Sequence, residues 1–103
     1  MSTLSNNREA TLALLKSIIQ QTLRNVNAEV YLFGSWARKE EKRTSDIDIG
    51  ILSDPKIPEK TWVALRDAVE ESLIPYHVEL VDLTSTSSEF LAQVKKEGIL
   101  WKG

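Results

Sequence analysis

The chain contains no cysteine, one histidine, four glycines and three prolines in 103 residues. Without cysteine it forms neither a disulfide nor a thiolate metal site, and nothing in it requires an oxidising compartment. A single histidine excludes a zinc centre built from several imidazoles. Long hydrophobic runs are also missing. No stretch approaches the roughly 20 apolar residues of a membrane span, and the opening MSTLSNNREA lacks the apolar core of a secretory signal. A cytoplasmic protein without membrane contact is the expectation. Positive charge is in short supply too: 13 Lys and Arg face 15 Asp and Glu, for a net charge of −2. A dedicated nucleic-acid binder needs a basic face to neutralise phosphates, so nucleic acid is not the expected partner. What the chain does have is carboxylates, the ligands of hard, oxygen-binding cations.

The length suits one domain, expected over residues 1–103. Residues 8–25 read as an amphipathic helix, with Leu12, Leu15, Ile19 and Leu23 at helical spacing. That stripe serves a core or an interface between copies equally well, so the oligomeric state stays open. AEVYLFG (28–34) reads as a buried strand ending in glycine, and SWARKEE (35–41) as one or two helical turns. SDIDIGIL (45–52) alternates strictly, with Ile47, Ile49 and Ile51 on one face and Asp46, Asp48 and Gly50 on the other. A second helix follows Pro58, with Trp62, Leu65, Val69 and Leu73 on one stripe. YHVELVDL (76–83) is a third strand. A third helix starts among Ser and Thr residues and stops at Gly98, and ILW adds a short final strand. The order α-β-β-α-β-α predicts an α/β (α+β) fold, a small mixed sheet with helices packed on it. The third strand arrives through a helical crossover, which favours parallel pairing.

The chemistry concentrates in FGSWARKEEKRTSDIDIG (33–50). Residues i and i+2 of a strand share a face, so Asp46 and Asp48 converge. Two adjacent carboxylates repel and are costly to bury, and a divalent cation relieves both penalties. Mg²⁺ takes one or two carboxylates plus substrate phosphates, and a pair of such ions forms the clamp for in-line nucleotidyl transfer. The plainer alternative is an exposed strand face with two aspartates; aspartate is depleted in strands, but the Asp-x-Asp pair alone leaves both readings open. Gly50 has no side chain and is expected to leave the carboxylate face open to a ligand. Gly34 ends the first strand and lets the backbone turn tightly. Ser35 opens a helical segment whose N–H groups and hydroxyl suit an anion such as a triphosphate. Gly-Ser alone would read as an ordinary turn.

Gly-Ser, ten residues, then Asp-Ile-Asp is a specific spacing when strand, turn and strand surround it. The chain resembles the minimal nucleotidyltransferases of the DNA-polymerase-beta-like superfamily. LFGSWAR and SDIDIGIL carry the two halves of that signature, and the resemblance covers nearly the whole chain. Many members have glycine after the Ala-Arg pair, where this chain has Lys39. The resemblance implies Asp46 and Asp48 as catalytic metal ligands, Gly34 and Ser35 as the nucleotide-phosphate site, and Mg²⁺ as the cofactor, two ions together. It also implies a third carboxylate on a later strand, as metal ligand and acceptor of the attacking hydroxyl's proton. Glu79 and Asp82 both offer themselves, on opposite faces of the third strand. Glu79, between Val78 and Leu80, is preferred because a mid-strand charge needs a reason.

The expected function is Mg-dependent transfer of a nucleotide, AMP in this reading, from a nucleoside triphosphate to a hydroxyl. Larger relatives carry helices that bind the second substrate. The resemblance therefore points to a separate HEPN-type helical toxin as acceptor, with this chain as antitoxin. The alternative is a non-catalytic module that binds nucleotide or neutralises a partner by contact. Trp36 reads as a packing residue or a base-stacking one, and Arg38 as half of an ion pair with a nearby acid. Lys42 and Arg43 read as solvated loop charges, and His77, alone on its strand, as structural.

Overall fold

A computed structural model gives the structure of residues 3–103, with side chains described from residue 8 onward. Helix α1 spans Thr3–Thr22 and strand β1 Ala28–Phe33. A 3₁₀ turn, Gly34–Trp36, leads into a loop and then β2, Ile47–Ser53. Helix α2 covers Glu59–Glu70 and strand β3 Val78–Asp82. A second 3₁₀ turn, Leu83–Ser85, precedes α3, Ser88–Glu97, and β4, Ile99–Lys102. The four strands form one mixed sheet in the order β3-β2-β1-β4. β1 pairs antiparallel with β2 and β4, while β2 and β3 run parallel, as the crossover through α2 requires.

The period of two along each strand divides the residues between two faces. On one face Val30, Leu32, Ile47, Ile49 and Ile51 are buried against Leu15, Ile19 and Leu23 of α1 and Trp62, Leu65 and Val69 of α2. The apolar stripe of α1 is therefore core. The other face is only half covered: Tyr31 packs with Leu83 and with Val94 of α3, with Phe33, Leu52, Val81 and Leu91 around them. Asp48 lies opposite Phe33 on β1 and Glu79 on β3, on this second face. The apolar and acidic requirements of β2 are thus met by opposite sides of the sheet.

The termini of α3 follow the sequence. Ser87 Oγ accepts a hydrogen bond from the Phe90 N–H at 3.2 Å, and Lys95 and Lys96 occupy the last turn, where carbonyl dipoles favour positive charge. Three expectations are corrected. Helix α1 begins five residues before the expected start at residue 8. Leu73 does not join the α2 stripe: the helix ends at Glu70 and Leu73 is 91% exposed. Gly50 does not leave its face open, for a Cβ there would stand 2.7 Å from Cδ1 of Leu83. Its missing side chain admits Leu83, and the open part of the face lies further along, at Asp48.

Candidate active site

At the end of β1 the chain adopts φ +75° at Gly34, a left-handed conformation that favours glycine. It then closes one tight turn, with the N–H groups of Ala37 and Arg38 both donating to the Gly34 carbonyl, at 3.1 and 3.2 Å. The Glu40 N–H donates to the Ser35 carbonyl at 2.9 Å. Trp36 anchors this turn. Its ring is buried and packs edge-on against Tyr76, centroids 4.9 Å apart, while Nε1–H donates to the Ser45 carbonyl at 3.4 Å. So Trp36 is a packing residue and is not available to stack on a base.

Helix α1 clamps the same loop through Arg8. Its Nε lies 2.7 Å from Glu41, a second guanidinium nitrogen donates to the Trp36 carbonyl at 2.6 Å, and the group stands 5.6 Å from the Trp36 ring centroid. Sequence reading missed this role for Arg8, because its partners lie 28 and 33 residues away. Lys39 has φ 59°, a left-handed backbone that favours glycine, here with a full side chain.

Asp48 of β2 reaches this turn from the neighbouring strand. A Cβ built on Gly34 would collide with Asp48 Oδ2, so glycine is what allows the carboxylate to lie over the turn. Burial raises the Asp48 pKa above the ordinary carboxylate value. The charges of Asp46 and Glu79 raise it further, and Arg38 partly offsets them. Arg38 also pairs with Glu40 at 3.0 Å and Glu97 at 3.8 Å, in line with its reading as an ion-pair residue.

Asp46 immediately precedes β2. The next residue, Ile47, donates its N–H to the His77 carbonyl at 2.9 Å, which fixes Asp46 beside the start of β3. Glu79 is the register partner of Asp48. Asp82 pairs in register with Ile51 instead, and its carboxylate caps the following turn, accepting from the Thr84 N–H at 3.0 Å and the Ser85 hydroxyl at 3.3 Å. Of the two candidates for a third carboxylate, Glu79 is the one beside the aspartate pair.

The sequence alone reads His77 as structural. It is exposed, and one ligand atom each from Asp46, His77 and Glu79 lie within 4.8 Å of one another. Asp48, turned toward Gly34, stands outside that group. The site therefore has two parts: Gly34, Ser35 and Asp48 at the end of β1, and Asp46, His77 and Glu79 at the start of β3. Beside the second part, a cleft of about 500 Å³ runs between α2 and β3, lined by Arg66, Val69, Ile74 and Tyr76 as well as His77 and Glu79.

Residues 13–102 match the family described as Polymerase beta, Nucleotidyltransferase. The chain belongs to this nucleotidyltransferase family. It is 33% identical over 85 residues to the probable protein adenylyltransferase MntA of Haemophilus influenzae, covering 82% of this chain and 73% of that protein. With the protein adenylyltransferase MntA of Shewanella oneidensis it shares 35% identity over 69 residues, 67% of this chain and 49% of that one. Among solved structures, a toxin–antitoxin crystal structure with AMP-PNP superposes with a TM-score of 0.67 at 30% identity, over 85% of this chain and 73% of the other. A structure of the tri-AMPylated S. oneidensis HEPN toxin in complex with MNT antitoxin gives 0.60 at 27% identity, over 88% and 71%. The fold is thus the polymerase-beta-like mixed sheet, and the chain is a nucleotidyltransferase. Divalent metal is usual for the family, and the donor atoms of Asp46, His77 and Glu79 are close enough together to be candidates for holding one. Among the described residues no helix is long and apolar enough to cross a membrane.

Proposed function

We propose that residues 1–103 act as one minimal nucleotidyltransferase unit in the cytoplasm, transferring AMP from ATP to a hydroxyl of a HEPN-type toxin and so serving as its antitoxin. The observation that carries this reading is the Asp48 carboxylate lying over Gly34 with Asp46 and Glu79 beside it. Burial and two like charges make ionised Asp48 costly, and a cation beside the three carboxylates would offset that cost, so these residues fit a divalent metal. Asp46, Asp48 and Glu79 would hold Mg²⁺, in a two-ion arrangement. When bound, the metal supplies charge neutralisation for the triphosphate.

The chain's own residues do the rest. The backbone at Gly34 and the Ser35 hydroxyl hold the phosphates against the end of β1. Arg8, Trp36 and Glu41 keep that turn in place, so the phosphates meet a preorganised surface. Glu79 accepts the proton of the acceptor hydroxyl as its oxygen bonds to the α-phosphorus. The bond from the α-phosphorus to the bridging oxygen breaks, and pyrophosphate leaves. A HEPN-type acceptor is supported by the two MntA relatives named protein adenylyltransferases and by the AMPylated HEPN toxin of the structural neighbour.

The test is the intact mass of a purified HEPN-type partner after incubation with this chain, ATP and Mg²⁺. The expected result is addition of AMP, absent with Asp48→Asn. An unmodified partner that is nonetheless neutralised would instead identify a contact inhibitor.

A further inference from the structure

The reading above needs only carboxylates, yet the ligand group at the start of β3 includes an imidazole. We infer that His77 is a metal ligand together with Asp46 and Glu79, and that this three-residue set takes a transition-metal ion of the Co²⁺ or Zn²⁺ class in preference to Mg²⁺.

Position comes first. The Ile47 N–H holds the His77 carbonyl at 2.9 Å, and Ile47 and Val78 are register partners, so Asp46 and His77 precede paired residues of adjacent parallel strands. Glu79 follows two residues after His77, on the same side of the strand. The backbone of the sheet therefore sets these three residues side by side.

Geometry comes next. Ligand atoms around an ion at about 2.0–2.2 Å can lie no more than about 4.4 Å apart. The donor atoms of Asp46, His77 and Glu79 already lie within 4.8 Å of one another, so a closure of a few tenths of an ångström completes the set. All three side chains are exposed and free to make that movement. Inside the set, His77 Nε2 lies 3.9 Å from Glu79 Oε1, too long for a hydrogen bond, so these two atoms are not each other's partners.

Chemistry then selects the ion. Carboxylate and water suit Mg²⁺, whereas imidazole suits the later first-row metals, and two carboxylates with one histidine make a mixed donor set. One imidazole therefore moves the site's preference away from Mg²⁺. Binding at this set does not depend on the nucleotidyltransferase reading. The bound ion's part in transfer does.

The full chain is titrated with Co²⁺, followed by its visible absorption, and with Mg²⁺ by calorimetry, both without nucleotide. The expected result is Co²⁺ binding tighter than Mg²⁺. His77→Ala and His77→Gln should each weaken Co²⁺ by at least the roughly tenfold to hundredfold that loss of an outer-shell partner costs, and change Mg²⁺ affinity by less than about twofold. Both variants are at an exposed side chain, and circular dichroism confirms their fold. Co²⁺ affinity unchanged by both variants, or Mg²⁺ affinity lost in parallel with it, overturns the inference. Mg²⁺-supported AMP transfer by the wild-type chain is measured alongside. Transfer without a Co²⁺ preference overturns the inference alone. A His77-dependent Co²⁺ preference without transfer supports the inference and counts against the proposed function.

Discussion

The Asp48 carboxylate lies directly over Gly34, in space that any Cβ at residue 34 would occupy. Gly34 is also left-handed, at φ +75°. Gly34→Ala therefore carries two penalties, a backbone conformation that costs an L-residue about 1–2 kcal/mol and displacement of Asp48. Denaturant unfolding should show a loss of at least that size. AMP transfer should fall further than folding alone explains, because the carboxylate is moved from the phosphate turn. A variant as stable and active as the wild type would show that the contact is dispensable.

Asp48 titrates above the usual carboxylate range because it is half-buried beside Asp46 and Glu79. The folded chain thus holds this proton more tightly than the unfolded chain does. Stability falls as pH rises from the ordinary carboxylate range through the raised value, then stays lowered. Asp48→Asn removes that penalty. Without metal it should raise the melting temperature at neutral pH, and the difference should vanish below about pH 3, where the unfolded carboxyl is protonated too. Divalent cation should stabilise the wild type more than the variant. A lower melting temperature for Asp48→Asn at neutral pH would contradict this account of the site's charge.

Lys39 occupies a left-handed position at φ 59°. Glycine adopts that conformation without the Cβ clash but gains freedom in the unfolded chain. The first effect is the larger where φ is positive, so Lys39→Gly should stabilise by about 0.5–1 kcal/mol, read from a shift in the urea midpoint.

Arg8 is the tie between α1 and the loop that carries Trp36 and Glu41. Among the described residues, Glu41 Oε1 is buried with no hydrogen-bond partner, so the guanidinium is the main compensation for this carboxylate. Arg8→Ala should cost about 2 kcal/mol, more than an exposed pair and less than a fully buried one. Removing the acid as well, in Arg8→Ala with Glu41→Gln, should recover part of it. A cost below about 0.5 kcal/mol would place the pair with ordinary surface ion pairs.

Much of the site can be read along the chain because its signals are local. Ile47, Ile49 and Ile51 against Asp46 and Asp48 is a period of two, and it alone assigns the two faces of β2. The Gly-Ser turn precedes that strand at a fixed spacing. What could not be read is what other elements bring. Leu83 fills the space above Gly50, so the glycine marks a close approach and not an opening. His77 reads as structural from the sequence because it stands alone on its strand. Only the parallel register of β2 and β3 puts it next to Asp46. The same register sets Glu79 beside Asp48, whereas Asp82 caps a turn at the far end of the strand. Leu73 continued an apolar spacing that the α2 backbone does not continue, since the helix stops at Glu70.

The most direct test of the central claim supplies this chain with α-labelled ATP, CTP, GTP or UTP in Mg²⁺, with and without a HEPN-type partner, and follows label into protein. The account predicts label from ATP on the partner, lost in both Asp46→Asn and Asp48→Asn while the variants remain folded. Label that persists in either variant, or a folded wild-type chain that binds the partner and transfers no nucleotide, would contradict it.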